Sequence, residues 1–338
     1  MKISRDRGNV LIRFIAGITI LGMSVTASEE LSKWLRPEHI PAPKDNQITP
    51  ERVELGTFLY FDTRLSRDGT VSCATCHNEA NGWSDGLPKA VGIEGREGPR
   101  NSPTVLNTAY QIRQFWDGRA KTLEEQALGP IEADVEMDID LDELLKRLNK
   151  IEGYKVLFEK AYPGEGITRD TLAKAIATFE RTVVSTESPF DRYVKGDKNA
   201  IDANAKKGFA LFTGKGHCTD CHDGFNFTDG SFHNLGLGDA DEGRYGLKKR
   251  AAWFHAFKTP TLRDVTKSGP YFHDGSIKTL AEATAVCGNG GRFPNSEKVS
   301  PLIVDRGLNQ EELELLVDFL KTLEGTPLNI KEPTQFPQ

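Results

Sequence analysis

The sequence predicts an all-α chain built from two tandem units, and three observations carry that expectation. The order Cys-x-x-Cys-His occurs twice, at Cys73, Cys76, His77 and again at Cys218, Cys221, His222. Each copy follows a Gly-x-x-Leu-aromatic pattern, Gly56, Leu59, Tyr60 before the first and Gly208, Leu211, Phe212 before the second. A helix and its loop are therefore duplicated along with the motif. The other periodic stretches place apolar residues three and four apart, as helices do. A length of 338 residues suits two domains. With 38% hydrophobic and 27% charged residues, the chain has enough apolar content for two cores.

Residues 1–27 have a basic start (Lys2, Arg5, Arg7, Arg13), an apolar run from Phe14 to Met23 and small residues through Ala27. That is the layout of an export signal; the run is short for a bilayer span, and an uncleaved anchor is the rival reading. No other segment is a transmembrane candidate. This stretch carries four bases and one acid, so setting it aside moves the formal charge from −6 to −9. An acidic surface favours basic partners and speaks against nucleic acid, although solubility alone would account for it. Residues 28–195 are expected to form an N-terminal unit, 196–325 a C-terminal unit and 326–338 a tail. LDELLKRL (141–148) and TRDTLAKAIATFERTVVS (168–185) read as helices, the latter with Leu172, Ala175, Ile176 and Phe179 on one face. SPFDRYVKGDKNAID (188–202) reads as the hinge, and the Gly/Pro-rich stretches 84–104 and 223–247 as loops. In NQEELELLVDFLKTLEG (309–325), Asn309 and Glu312 form a capping pair and Gly325 suits the stop.

An exported chain meets an oxidising compartment, so its five cysteines are expected in disulfides, as ligands or in catalysis. A redox dithiol would want a thioredoxin-like βαβ context, which neither motif has nearby. A zinc site would not need a histidine directly after each second cysteine. Covalent haem attachment needs that order: two thiols one helical turn apart add to the two vinyl groups, and the next histidine turns back to the iron. Two copies give two c-type haems, with His77 and His222 as proximal ligands to the haem irons. The expected architecture is two tandem cytochrome c-like domains, each with one covalently bound c-type haem.

With the haems placed, further stretches become legible: PTVLN (103–107), QFWDGRAKTLEEQALGPIEADVEM (114–137), FHNLGLG (232–238) and FKTPTLRDVTKSGPYFHDGSIKTL (257–280). In that order, over residues 50–325, they resemble the bacterial di-haem cytochrome c peroxidase and MauG family. The resemblance implies two all-α domains with a calcium ion between the haems, one haem reacting with hydrogen peroxide and the other relaying electrons. It places Glu136 and Gln126 in the distal pocket of the first haem, with Phe115 and Pro130 as walls, and Trp116 between the haems. It makes Asn101 a side-chain calcium ligand, with backbone carbonyls at Ser268 and Pro270, oxygen donors that suit this hard ion. Lys258, Arg263 and His273 fall near haem propionates or just behind the ligands. Chemistry agrees for Glu136, since O–O cleavage needs a group that takes a proton from one oxygen and returns it to the other. Without the resemblance Glu136 is one more acid in an acidic loop, and Trp116 is equally compatible with a plain core residue.

Two departures matter. In many of these peroxidases a histidine after the first motif caps the reactive iron at rest, but this chain has no histidine between His77 and His217. Its first iron is expected to stand open to peroxide without prior reduction, as in MauG-like proteins. The peroxidases also place a methionine, and MauG-like proteins a tyrosine, fourteen residues after the histidine of HDG; here that position is Cys287. Beyond residue 27 the sole methionine is Met137, which the VEM match assigns to the other haem. Cys287 is therefore a candidate axial ligand opposite His222; an inert core thiol, an open iron and His255 moving in are the alternatives. A thiolate would lower the potential and suit the holding of oxidising equivalents. The expected function is an exported, periplasmic di-haem oxidoreductase that uses hydrogen peroxide to form high-valent iron and oxidise a partner protein's aromatic side chain. The alternative is a cytochrome c peroxidase that reduces peroxide to water with electrons from a small cytochrome or copper protein. A third is a plain two-haem electron carrier.

Overall fold

The computed structural model describes residues 31–338 apart from 239 and 294, so the export signal read in residues 1–27 lies outside the described residues. The first unit contains α1 (Pro50–Phe61), α2 (Cys73–Cys76), α3 (Leu123–Glu132), α4 (Leu141–Leu148), α5 (Glu152–Ala161) and α6 (Arg169–Thr182). The second contains α7 (Pro189–Val194), α8 (Ala203–Thr213), α9 (Leu280–Gly288) and α10 (Gln310–Lys321). Among the described residues the only strands are β1 (Phe232–His233) and β2 (Phe257–Lys258), an antiparallel pair two residues long. The all-α class therefore stands. No described helix is long and apolar enough to cross a membrane.

Local chemistry sets the helix ends. The expected helix at 141–148 occupies that range, with Asp140 accepting two N–H groups at its start. The one expected over 168–185 stops at Thr182, where Val183 leaves helical geometry. Asn309 and Glu312 cap α10 reciprocally, with bonds of 2.9 Å each way, and the helix ends at Lys321. The segment read as a hinge opens with a helix, because Ser188 and Asp191 form a capping box and Pro189 takes the first helical position.

The duplicated glycines mark one packing device used twice. Helix α1 crosses α6 at Gly56, where an added Cβ would lie 2.2 Å from the Ala175 carbonyl oxygen. Helix α8 crosses α10 at Gly208, where it would lie 2.0 Å from the Leu315 oxygen. In each unit the helix that leads into the motif is thus pressed backbone-to-backbone on a later helix. Leu59, Tyr60 and Phe212 are buried beside these crossings.

Two cores result. Leu55, Leu59, Ile131, Leu144, Tyr154, Phe158, Leu172 and Ile176 form the first. Phe190, Phe212, Phe227, Leu316 and Phe319 form the second, joined by Trp34 from the far end of the described chain. Trp34 stacks on Phe227 with ring centroids 4.8 Å apart, and Lys33 pairs with Asp223 at 2.6 Å. The tail makes the reverse journey. Glu79 accepts the N–H groups of Asn329 and Ile330 at 2.8 and 3.0 Å, and the Gln338 carbonyl accepts that of Gly153 at 2.7 Å. Each end of the chain is fastened to the unit it does not belong to in sequence.

Arg263, expected near a haem propionate or just behind the ligands, is bonded within the second unit. Its guanidinium makes a two-pronged bond to Asp191, at 2.9 and 2.8 Å, and donates to the Phe225 carbonyl at 2.8 Å. Burial works against the Asp191 charge, but the Arg263 bonds and field outweigh it and hold the carboxyl below its usual range.

Two stability outcomes follow. Gly208→Ala gains up to about 1 kcal/mol of helix propensity, yet the Leu315 oxygen cannot recede, so thermal unfolding should show a net loss of about 1–3 kcal/mol. Arg263→Met should cost about 3–5 kcal/mol by leaving Asp191 buried and unpaired. Because the folded pKa of Asp191 is depressed, the pair's contribution is full above the unfolded carboxylate value and is lost as pH falls through the depressed one. The gap between wild type and Arg263→Met in denaturant titrations should therefore shrink in acid.

Candidate functional site

Helix α2 is a single turn capped by Ser72, and it sets Cys76 on the wall of a cavity with about 880 Å³ of empty space, part of it open to solvent, while Cys73, one turn earlier, packs against the Tyr60, Trp83 and Phe179 cluster. His77 follows at its end. Its Nδ1 lies 3.2 Å from the Trp83 carbonyl oxygen, which fixes the proton on Nδ1 and leaves Nε2 as the ligating atom. The second motif repeats this with a tighter turn: Cys218–Asp220 is a 3₁₀ turn, and His222 Nδ1 lies 2.8 Å from the Phe227 carbonyl oxygen. Its cavity has about 1470 Å³ of empty space, part of it open to solvent. Burial pushes both imidazoles below their usual range and so keeps them neutral, the form that binds iron. Burial also pushes the Cys76 and Cys218 thiols up to about 12, the opposite of what a redox dithiol needs. The five cysteines form no disulfide. Buried neutral thiols, a tautomer-locked histidine and a large apolar-walled cavity fit a covalently held haem at each motif.

The first cavity gathers the residues that the sequence singled out. Glu136, Gln126, Phe115, Pro130 and Trp116 all line it together with His77, the one histidine on its wall among the described residues. Glu136 is seated by backbone: the Ile93 N–H donates to its carbonyl at 2.8 Å, and a Cβ on Gly92 would lie 2.5 Å from that same oxygen. Burial raises the Glu136 carboxyl above its usual range, with Arg119 pulling back in part. Gln126, on α3, has a buried Oε1 without a partner. Arg119 stacks 3.4 Å over the Phe115 ring and so closes one side.

Trp116 lies on the wall of the first cavity and on that of the second. Its Nε1 donates to the Asn101 carbonyl at 2.9 Å and its own carbonyl accepts the Lys258 N–H at 2.7 Å. Arg100 closes the same seam, with Asp117 at 2.6 Å on one side and Asp241 at 2.6 Å on the other.

In the second cavity stand Cys287, His255, His273, Lys258 and His233. Cys287, near the end of α9, is an exposed residue that lines this cavity; the protein around it pushes its thiol up to about 12, so ligation would require loss of that proton to the metal. His255 Nδ1 sits 2.6 Å from the Asp241 carbonyl oxygen. His273 stacks flat on Phe257 at 3.4 Å. Lys258 is buried, with Nζ bonded to Gln111 Oε1, and burial pushes it down to about 8. Met137 is buried in the first core, and no methionine lines the second cavity. A third cavity touches Trp116, Asn101, Ser268 and Pro270; no carboxylate lines it, and Lys258 does.

Sequence reasoning missed Glu180, Arg119 and the Asp229–His233 pair (2.9 Å) beside Cys221. The signal for Glu180 was present: it stands four residues after Ile176, on the apolar stripe of its helix, where a carboxylate is out of place.

Residues 50–199 match the family model for di-haem cytochrome c peroxidase and residues 205–324 that for cytochrome c. The methylamine utilization protein MauG of Methylorubrum extorquens is 46% identical over 308 residues, covering 89% of this chain and 86% of its own. The cytochrome c551 peroxidase of Pseudomonas aeruginosa is 37% identical, covering 96% and 93%. Among solved structures, a MauG-like protein associated with microbial copper homeostasis superposes with a TM-score of 0.80 at 30% identity, over 86% of this chain and 95% of that one.

Proposed function

The chain belongs to the bacterial di-haem cytochrome c peroxidase and MauG family, and on that premise we propose that it reduces hydrogen peroxide to water at the first haem with electrons drawn through the second. It is a haem-peroxidase-type oxidoreductase acting on hydrogen peroxide, with two c-type haems and a protein as its electron donor or substrate. One observation carries the proposal: Glu136, Gln126 and His77 share a cavity whose Trp116 wall is also a wall of the other haem's cavity.

Cys73, Cys76 and His77 would hold the first haem and Cys218, Cys221 and His222 the second; when bound, haem supplies the iron that takes up peroxide and exchanges electrons. Glu136, as carboxylate, removes the proton from the near peroxide oxygen and delivers it to the departing one. Gln126 Oε1, buried and without a protein partner, accepts the peroxide O–H and fixes its orientation. Trp116 divides one long electron transfer into two shorter ones. One peroxide, two electrons and two protons give two waters. Asn101, Ser268 and Pro270 are the proposed calcium ligands, a weak site because no carboxylate joins them. Export to the periplasm is proposed from residues 1–27.

The sequence alone put oxidation of a partner protein's aromatic side chain first. Peroxide reduction takes precedence here because cytochrome c peroxidases match the chain nearly end to end, and the reaction needs only the site described. Oxidation of a partner side chain is the second reading. It is favoured by Cys287 in place of a methionine and by the identity to proteins named MauG.

Rapid peroxide turnover with reduced cytochrome c or a copper protein is the expected result; peroxide-driven modification of a partner protein without such turnover would install the second reading. Glu136→Gln should lower kcat/KM for peroxide by about 10²–10⁴-fold. The acid form cannot accept a proton, so wild-type rate should fall as pH drops through the raised Glu136 pKa, above 4.5, and the variant should lack that limb. The ferric protein should show one high-spin and one low-spin EPR signal. Cys287→Ala should alter the low-spin signal, and an unaltered signal would rule the thiolate ligand out.

A further inference from the structure

Glu180 has no part in the steps above, yet it stands on the wall of the first cavity, 4% exposed, with Oε2 buried and without a partner. Its neighbour Arg181 does not bond it, because that guanidinium is bound to Glu124 at 2.8 and 3.0 Å. The titratable and charged groups around it are Tyr60 of α1, Cys73 and Cys76 of α2, Glu124 of α3 and Arg181 of α6. Across the cavity are His77, Arg100, Arg119 and Glu136. Its charge raises both the Cys73 thiol and the Tyr60 hydroxyl, and it shares its cavity wall with Cys76 and His77, two of the residues that would hold the haem. An acid buried there, with no cation bonded to it, would respond to the charge of an iron held at His77, because screening inside the protein is weak.

We propose that Glu180 is a redox-linked proton site of the first haem, binding a proton when that haem gains an electron and releasing it when the haem is oxidised. The inference rests on the haem assignment at His77 and deepens the peroxidase reading. The ferric centre carries one more positive charge than the ferrous one and so favours the carboxylate; the ferrous centre favours the acid. One electron from a reduced donor protein and one proton from solvent convert ferric haem and carboxylate into ferrous haem and carboxylic acid, with nothing else gained or lost. Burial, with Glu124 adding and Arg181 opposing, raises this carboxyl to about 8, so a charge on the iron would shift it within the neutral range. Glu180 would thereby hold a proton in the first cavity whenever the haem there is reduced.

The test is a potentiometric titration of the full di-haem protein, wild type and Glu180→Gln, at several pH values and without peroxide. The wild-type midpoint of the first haem should fall with rising pH, approaching 59 mV for each tenfold change in proton activity, and the Glu180→Gln midpoint should be nearly flat. Equal slopes would overturn the proposal. Redox-difference infrared spectra give a second reading: reduction of the wild type should create a protonated-carboxyl band that persists in Glu136→Gln and vanishes in Glu180→Gln. A wild-type protein without that band also overturns it, even if the glutamine variant fails to fold. Because no peroxide is present, failure of the peroxide chemistry would appear separately, as unchanged turnover in Glu136→Gln.

Discussion

The seam around Trp116 is the constraint on which the rest of the structure depends. The indole donates to Asn101 from the first unit while its backbone accepts from Lys258 of the second. Arg100 binds Asp117 and Asp241 across the same line, and Arg244 reaches back to the Asp117 carbonyl at 2.7 Å. These bonds are largely withdrawn from water, so removing any one leaves a buried group unpaired. A rigid seam holds the two cavities at one separation, and electron transfer between them requires such a fixed distance.

The first cavity concentrates carboxyl groups in a place hostile to charge. Burial raises both Glu136 and Glu180, but their surroundings differ. Glu136 has Arg119 nearby and can ionise to accept a proton from substrate. Glu180 has its neighbouring arginine engaged elsewhere and stays poised between its two forms. On the roles proposed above, a single pocket would keep an acid–base group and a proton store, with environment separating them. Among the described residues that line the second cavity, Asp220 is the one acid, so it contains no comparable pair.

The exchanged ends couple the units mechanically. The tail binds Glu79, two residues beyond His77, and the segment carrying Trp34 completes the aromatic core beneath the second motif. Neither strap has a periodic pattern, so neither was legible before the structure. In the segment 188–202, expected as a hinge, Pro189 and Gly196 look like punctuation, yet Pro189–Val194 is a helix whose Phe190 and Val194 belong to the second core.

The sequence by itself determined what depends on short spacing. Cys-x-x-Cys-His specifies its own chemistry within five residues, the helix caps lie three residues apart, and the missing histidine and methionine are plain counts. The paired glycines were visible as a repeat, although their purpose, admitting the carbonyls of Ala175 and Leu315, was not. Tertiary structure decided everything set by contacts between distant residues. It put Trp116 on two cavity walls, turned Glu180 toward the haem site, and paired Arg263 with Asp191, 72 residues away. A side chain's partner across such a distance is chosen by how whole helices pack, and no local pattern encodes that choice.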